Sequence, residues 1–163
     1  MNKQTDLPEL TDILKLPLCS QLGRVHRLWR SAITAAVQSL DMTEARWTAL
    51  IHLKMLGEGA TQQALAQDLG IEMPSLSRTL AQLVTQQLIE RRPHPTDKRA
   101  QCLYFTENGR QVLAELVKRI LLVRQTLYRD LSPAQTDVIT QSLVIMERNA
   151  RTLLAANTGE HAV

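Results

Sequence analysis

Thr61-Gln62-Gln63-Ala64-Leu65-Ala66-Gln67-Asp68-Leu69-Gly70-Ile71-Glu72-Met73-Pro74-Ser75-Leu76-Ser77-Arg78-Thr79-Leu80 decides the fold of this chain. It predicts two short helices joined by a Gly-Ile-Glu turn. Ala66, four residues before Gly70, is small enough for the helices to approach closely, and Gly70 supplies a turn conformation that side chains disfavour. Leu65, Leu69 and Ile71 form the expected buried set. Thr61 caps the first of the two helices, and Pro74, preceded by Glu72, suits the first turn of the second. That second helix is expected to turn Leu76, Leu80, Leu83, Val84 and Leu88 inward.

Past Leu88 the period changes from helical to extended. Ile89-Glu90-Arg91-Arg92-Pro93 and Gln101-Cys102-Leu103-Tyr104-Phe105 predict two short strands around the polar tip His94-Pro95-Thr96-Asp97-Lys98-Arg99-Ala100. A helix-turn-helix followed by such a hairpin is a winged helix-turn-helix. Upstream, Leu18, Leu22, Val25, Leu28, Trp29 and Ile33 recur at helical spacing and predict a helix from Leu18 to about Ser39. Asp41-Met42 breaks it. Thr43 then caps a helix carrying Trp47, Leu50, Ile51, Lys54 and Met55, which ends at Gly57-Glu58-Gly59. Downstream, Thr106 caps a long helix containing Val112, Leu113, Leu116, Val117, Ile120, Leu121 and Leu127. Ser132-Pro133-Ala134-Gln135 is a capping-box start for a last helix with Val138, Ile139, Leu143, Met146, Leu153 and Leu154.

The expected fold class is therefore mostly α (α+β): a winged helix-turn-helix with long terminal helices forming a dimerisation region. The expected segments are an N-terminal arm and first dimerisation helix over 1–40 and the winged DNA-binding region over 41–106. C-terminal dimerisation helices follow over 107–156, and a flexible tail over 157–163. The terminal helices carry apolar stripes wider than a body of this size can cover. A two-fold homodimer would cover them, placing two reading helices about one turn of duplex apart and favouring a pseudo-palindromic operator.

Composition agrees with a globular DNA-binding chain. Its 163 residues are 44% hydrophobic and 21% charged, with a net charge of +3 and a pI near 9.1. No apolar run approaches the ~20 residues of a membrane span. The start of the chain lacks the basic segment and long apolar middle of a signal peptide, so the expected location is the cytoplasm, at the nucleoid. His26, His52, His94 and His161 are scattered, without metal-ligand spacing or a triad, and neither a GxGxxG nor a P-loop is present. No enzyme activity, cofactor or metal is expected.

The DNA-binding candidates follow from chemistry. Pro74, Ser75, Ser77, Arg78 and Gln82 occupy positions the inward face does not use. Arg78 is the strongest candidate for base reading, because a guanidinium donates two bonds to guanine O6 and N7 in the major groove. Ser75, Ser77 and Gln82 suit phosphate or base edges. Lys98 and Arg99 at the hairpin tip suit the adjacent minor groove, and Asp97 suits holding an arginine or the backbone amides of the tip. Of Arg91 and Arg92, one is expected to face phosphate and the other solvent. Thr61 and Gln62 offer amides and side chains to phosphate.

Gly70-Ile71-Glu72-Met73-Pro74-Ser75-Leu76-Ser77-Arg78-Thr79-Leu80, with Gln82-Leu83, Leu88-Ile89-Glu90-Arg91 and Asp97-Lys98-Arg99, resembles the MarR family of bacterial transcription regulators, most closely its SlyA-like branch. The resemblance runs from about Leu18 to Leu154, including Leu28-Trp29-Arg30 and Leu131-Ser132-Pro133. It implies a regulator of transcription, repressor or activator, that responds to small aromatic acids such as salicylate. Trp29, Arg30, Arg46 and Trp47 are the matching candidates here: an aromatic-walled pocket with a cationic rim, to which Arg24 and Arg27 add charge. Peroxide-sensing members carry a reactive cysteine near the start of the first helix, where Cys19 stands. Their polarising tyrosines are replaced here by Glu44 and Trp47, which weighs against redox sensing. A protein-interaction module that kept the fold but lost DNA binding is the remaining alternative, and intact Arg78 and Arg99 weigh against it.

Overall fold

The computed structural model describes residues 17–97 and 99–159. Six α-helices and one antiparallel hairpin follow one another: α1 (Pro17–Ala36), a single 3-10 turn (Gln38–Leu40), α2 (Glu44–Leu56), α3 (Gln62–Leu69), α4 (Met73–Thr85), β1 (Ile89–Pro93), β2 (Gln101–Phe105), α5 (Glu107–Leu127) and α6 (Pro133–Gly159). This is the winged helix-turn-helix that the sequence predicts. Both strands have the expected bounds. The expected sites at Lys98 and the tail after Gly159 lie outside the described residues, whereas the helix continues through Asn157 to Gly159 where a loose tail was expected.

Four of the six helix starts are written in a capping residue, whereas Glu72 before α4 makes no side-chain cap bond. Thr43 Oγ1 accepts from Arg46 N at 3.4 Å, and Thr61 Oγ1 from Ala64 N at 3.1 Å. Thr106 Oγ1 accepts from Gly109 N at 2.9 Å. Ser132 and Gln135 form a reciprocal box, Gln135 N donating to Ser132 Oγ at 3.2 Å and Ser132 N to Gln135 Oε1 at 2.9 Å. Gly70 ends α3 with φ 64°, and Ile71 N reaches back to Ala66 O at 3.1 Å, which turns the chain sharply into α4.

One core holds α1 to the first half of α5. Leu50 and Leu53 of α2, Leu65 and Ala66 of α3, and Leu76, Leu80 and Leu83 of α4 are buried together with Ile89, Leu103, Phe105, Leu113 and Leu116. Truncating any one of the fully buried leucines to alanine removes about 2–5 kcal/mol. Two expected core residues are not in it. Ile71 is 42% exposed because the chain leaves the Gly70 turn heading outward, and Val84 is 38% exposed because Thr79, not Val84, completes the buried stripe of α4. Thr79 satisfies its hydroxyl on Ser75 O at 3.3 Å.

The wing is tied to the helices by backbone that the sequence pattern leaves unassigned. Gly59 N donates to Leu103 O at 2.8 Å and Leu103 N to Ala60 O at 2.9 Å, while Thr61 bridges Cys102, so the segment before α3 lies as a short third edge against β2. Within the hairpin Ile89 pairs with Phe105 and Pro93 with Gln101. The end of α1 is capped from α5: Arg119 Nη1 donates to Ala36 O at 3.0 Å and Ser39 Oγ at 2.5 Å, with its Nε on Glu115 Oε1 at 2.8 Å. That Arg119 bond holds the Glu115 carboxyl below the usual carboxylate range against the opposing effect of burial, with the charges of Lys118 and Arg119 adding smaller help. A depressed carboxyl stabilises the fold above its unfolded pKa, and the contribution is lost as pH falls through the folded value.

The chain divides into two compact units after Val123, inside α5. In the second unit the capping box opens α6, along which Val138, Ile139, Leu143, Val144, Ile145, Leu153 and Leu154 are exposed. In the first, Leu18, Val25 and Leu28 of α1 are likewise exposed although the periodicity that predicts the helix runs through them.

Gly109 is the tightest backbone approach. A Cβ there would stand 1.8 Å from the carbonyl oxygen of Leu88 and 2.7 Å from its carbon, backbone that cannot swing aside. Gly109→Ala is therefore expected to cost about 3 kcal/mol, the upper end of overpacking. Urea unfolding followed by circular dichroism checks this; an unchanged midpoint would show that the α5 start does not press on Leu88 as described.

Candidate nucleic-acid interface and adjoining pocket

The buried stripe of α4 fixes which residues face out. At about 100° per residue, Leu76, Thr79, Leu80 and Leu83 cluster on one side, which places Arg78 nearly opposite, flanked by Pro74, Gln82 and Ser75, with Ser77 toward one edge. All five are exposed. The Arg78 guanidinium makes no hydrogen bond or ion pair with any described residue. It is free to meet a base edge. Ser77 is partly committed, its carbonyl accepting from Arg91 Nη2 at 3.4 Å.

That bond sorts the two arginines of β1. Arg91 leans on α4 beside Ser77. Arg92 pairs with Glu90 and lies over the Tyr104 ring with 4.5 Å to its centroid, so its charge is already neutralised and stacked. Of the pair, Arg91 stays the better phosphate candidate. Thr61 has spent its hydroxyl on the α3 cap, leaving Gln62 as the freer side chain at that helix start.

The wing tip is internally bonded. Asp97 Oδ1 accepts from Arg99 N at 2.9 Å, Ala100 N donates to Asp97 O at 3.0 Å, and His94 N donates to Ala100 O at 3.0 Å. Asp97 thus holds backbone amide, the second of the two tasks the sequence reading allowed it. The reading missed His94, whose ring Nδ1 lies 3.3 Å from Thr96 N and 3.2 Å from Asp97 N. No spacing rule singles out a histidine as a loop cap. A cleft of about 340 Å³ runs between the start of α3 and this tip, lined by Thr61, Gln62, Gln63, Met73, His94, Asp97, Arg99, Ala100 and Gln101. It lies between the expected phosphate contacts of α3 and Arg99, the expected minor-groove residue of the wing.

Among the expected pocket residues, Trp29, Arg30 and Trp47 come together. They line a cavity of about 230 Å³ with His26, Ile33, Thr48, Ile51, His52 and Ile120. A second lobe of about 620 Å³ shares His26, Arg30, Thr48 and His52 and runs on to Leu69, Ile71, Leu76 and Thr79 of the helix-turn-helix. Arg46 is not brought in. It points the other way, its Nε on Thr43 Oγ1 at 3.2 Å and its Nη1 3.4 Å from Asp41 Oδ2. Asp41 also accepts from Gln86 Nε2 at 2.8 Å, so this corner ties α2 to the end of α4.

The cationic rim is weaker than the composition of α1 implies. Arg30 Nη2 is 2.7 Å from Glu44 Oε1, an acidic partner supplied by α2. Trp47 is core, with 7% exposure and its Nε1 on Thr34 Oγ1 at 3.0 Å. By contrast, Trp29 Nε1 and Arg30 Nε are buried and lack a hydrogen-bond acceptor among the described residues. Buried donors without acceptors are rare and costly, and a site that receives an acceptor group is one way to keep them. His52, also unforeseen, joins the pocket to α3 through a 2.7 Å contact between its Nδ1 and Asp68 Oδ2.

Cys19 lies exposed in the first turn of α1, and Cys102 is buried in β2. Tyr104 sits under Arg92 and Tyr128 under Arg124, so neither tyrosine lies on α2. Among the described residues no helix is long and apolar enough to cross a membrane, and no group of His, Cys, Asp and Glu converges as a metal site would.

With this geometry in place, comparison with known proteins is direct. Residues 40–100, from the 3-10 turn to the wing tip, match the model of the MarR family. Over that segment the chain matches the MarR family. Its fold is also that of solved members. A MarR transcriptional regulator from Methanosarcina mazei Go1 is 20% identical with a TM-score of 0.76, over 83% of this chain and 97% of that one. The transcriptional regulator SlyA is 21% identical with a TM-score of 0.74, over 82% and 93%. A mutant MarR from E. coli complexed with operator DNA is 22% identical with a TM-score of 0.73, over 80% and 94%. The family is one of transcriptional regulators, which are generally not enzymes.

Proposed function

We propose that the chain is a homodimeric, sequence-specific regulator that binds pseudo-palindromic operators in double-stranded DNA, and that a small aromatic carboxylate weakens this binding. The observation that carries the first part is the outer face of α4, where Arg78, unpaired among the described residues, stands opposite a buried stripe. A helix so divided can enter a major groove without disturbing the core. Pro74, Ser75, Ser77 and Gln82 accompany Arg78 there, while Lys98 and Arg99 at the wing tip enter the neighbouring minor groove. Gln62 and Arg91 take phosphate. The E. coli MarR complexed with operator DNA supports this reading by its shared fold. Its Asp97-Lys98-Arg99 tip supports a place near the SlyA-like branch, acting at the nucleoid as repressor or activator.

The dimer is supported by the apolar residues left exposed on α1, at the end of α5 and along α6. Faces of this kind mark association surfaces. Two copies of α4 then meet half-sites about 34–36 Å apart.

The ligand is supported by the two-lobed pocket. Trp29 offers a ring wall and a buried N–H; Arg30 offers a buried Nε. The larger lobe touches α1 and α2 on one side and Ile71, Leu76 and Thr79 on the other. A molecule seated there favours one placement of the reading helix over another, and DNA affinity falls as the population shifts.

Arg78→Ala is expected to weaken specific binding by about 1–3 kcal/mol and to relax preference at one base position. Arg99→Ala is expected to weaken binding to all sequences alike and to reduce the salt slope by about 1. Fluorescence anisotropy on the chain's own upstream region, against a scrambled duplex across a salt series, reads both. Undiminished binding by both variants would rule out this interface.

Salicylate is expected to quench Trp29 fluorescence and lower operator affinity. Trp29→Ala should keep the affinity and lose the response. A salicylate effect that survives Trp29→Ala places the ligand elsewhere.

A further inference from the structure

We propose that His94 holds the wing in its DNA-gripping shape only while its imidazole is neutral, so that the grip on DNA loosens as pH falls. This rests on the reading that the wing meets DNA.

Nδ1 of His94 faces the backbone N–H groups of Thr96, at 3.3 Å, and Asp97, at 3.2 Å. Backbone N–H groups can only donate, so Nδ1 must present its lone pair, and the ring hydrogen belongs on Nε2. The next link is Asp97, which orders Arg99 N through Oδ1 and Ala100 N through its carbonyl. Ala100 O closes the ring by accepting from His94 N at 3.0 Å. The backbone that presents Arg99 is therefore held by two side-chain acceptors in series, an imidazole and a carboxylate. Proline at 95 fixes the intervening φ but removes a backbone donor, which leaves the two amides beyond it to the imidazole.

The two acceptors respond differently to acid. A carboxylate stays an acceptor across the physiological range, whereas imidazole is the side chain that gains a proton between about pH 8 and 5. Protonation sets a third N–H against the two already there. Thr96 Oγ1, 3.3 Å from Nδ1, can turn to accept from it, which recovers one bond where two are lost.

Charge around the ring does not reverse this. In the cleft that His94 lines, the tip contributes Asp97 and Arg99, of opposite sign. Helix α3 contributes Thr61, Gln62 and Gln63, α4 contributes Met73, and β2 contributes Gln101, all uncharged. Among the described residues no carboxylate from a packed helix lines that cleft to favour the imidazolium. Lys98 adds a positive charge next to Asp97 in the sequence. A DNA phosphate would favour the imidazolium. At about 0.15 M salt that attraction is screened only beyond about 8 Å, so a phosphate close to the ring would oppose the loosening, and the pH comparison with His94→Asn reads out which effect wins.

The test compares wild type, His94→Asn and His94→Ala on the same duplex, at salt of about 0.15 M or above, between about pH 7.5 and 5.5. Asparagine keeps a short uncharged acceptor and does not titrate; alanine has no acceptor. Wild type is expected to lose about fivefold more affinity on acidification than His94→Asn, the worth of one or two exposed hydrogen bonds. His94→Ala is expected to bind about fivefold more weakly than wild type at neutral pH and to lack the extra acid step.

Three results on the duplex overturn the proposal: His94→Ala binding as tightly as wild type at neutral pH, equal pH profiles for wild type and His94→Asn, or wild type gaining affinity in acid relative to His94→Asn. The last would make the imidazolium a phosphate contact. A second readout needs no DNA. In the free protein, the Thr96 and Asp97 amide resonances should move with the titration of the His94 ring in wild type and stay put in His94→Asn. If no variant binds the duplex at any pH, the DNA reading fails while these resonances still decide the role of His94; amides indifferent to the ring's titration overturn it.

Discussion

The bare outer face of α4 depends on the burial of four side chains on its other face, Leu76, Thr79, Leu80 and Leu83. A recognition helix has to be anchored on one face and bare on the other. Its anchor also sets its angle, because Leu65 and Ala66 of α3 and Leu50 and Leu53 of α2 belong to the same core. Ala66 permits the close approach and Gly70 the abrupt turn. Once that stripe is buried, the rotation of the helix is settled and Arg78 is carried to the opposite side with no further interaction needed to aim it.

The wing solves a different problem. A hairpin of two five-residue strands is marginal by itself. Here it gains a third edge from Gly59 to Thr61, and the α5 start lies against Leu88 at a distance only glycine allows. Its tip has no core beneath it, so its shape comes from polar bonds: Asp97 on the Arg99 amide, and His94 on the two amides before it. Packing holds α4 while hydrogen bonds hold the wing, and solvent conditions act on these unequally.

The pocket lies where the two long-range demands of such a regulator meet. Its residues come from α1, α2 and the helix-turn-helix, so its walls are parts that share a core yet belong to different segments of the chain. Arg30 is held by Glu44 across that space, and His52 by Asp68. Both bonds link helices that a proposed change of operator spacing would move, which makes them natural points for a ligand to compete.

The helices, their caps and both strands were legible because their causes are local: a capping hydroxyl bonds an amide three residues on, and a strand declares itself by a change of period. The outward set on α4 was legible for the same reason, since helical spacing assigns faces before any partner is known. What escaped was decided at a distance. Ile71 and Val84 read as core, yet whether an apolar residue finds cover depends on what packs over it. Glu44 read as a missing tyrosine, yet it neutralises Arg30 of another helix; Arg46 is the local exception, read as pocket but bonded to Thr43 and Asp41, three and five residues back. Sequence by itself determined the order of elements, their ends and the face of α4 that stays bare. Only the tertiary structure decided which charges are spent on each other and which donors are buried without partners; the His94 contacts reach only two and three residues on, but no spacing rule marks a loop histidine as an acceptor. Local backbone preferences are written residue by residue, whereas pairing across 14 to 83 residues, as in Arg91 to Ser77 or Arg119 to Ala36, exists only once the core has brought the segments together.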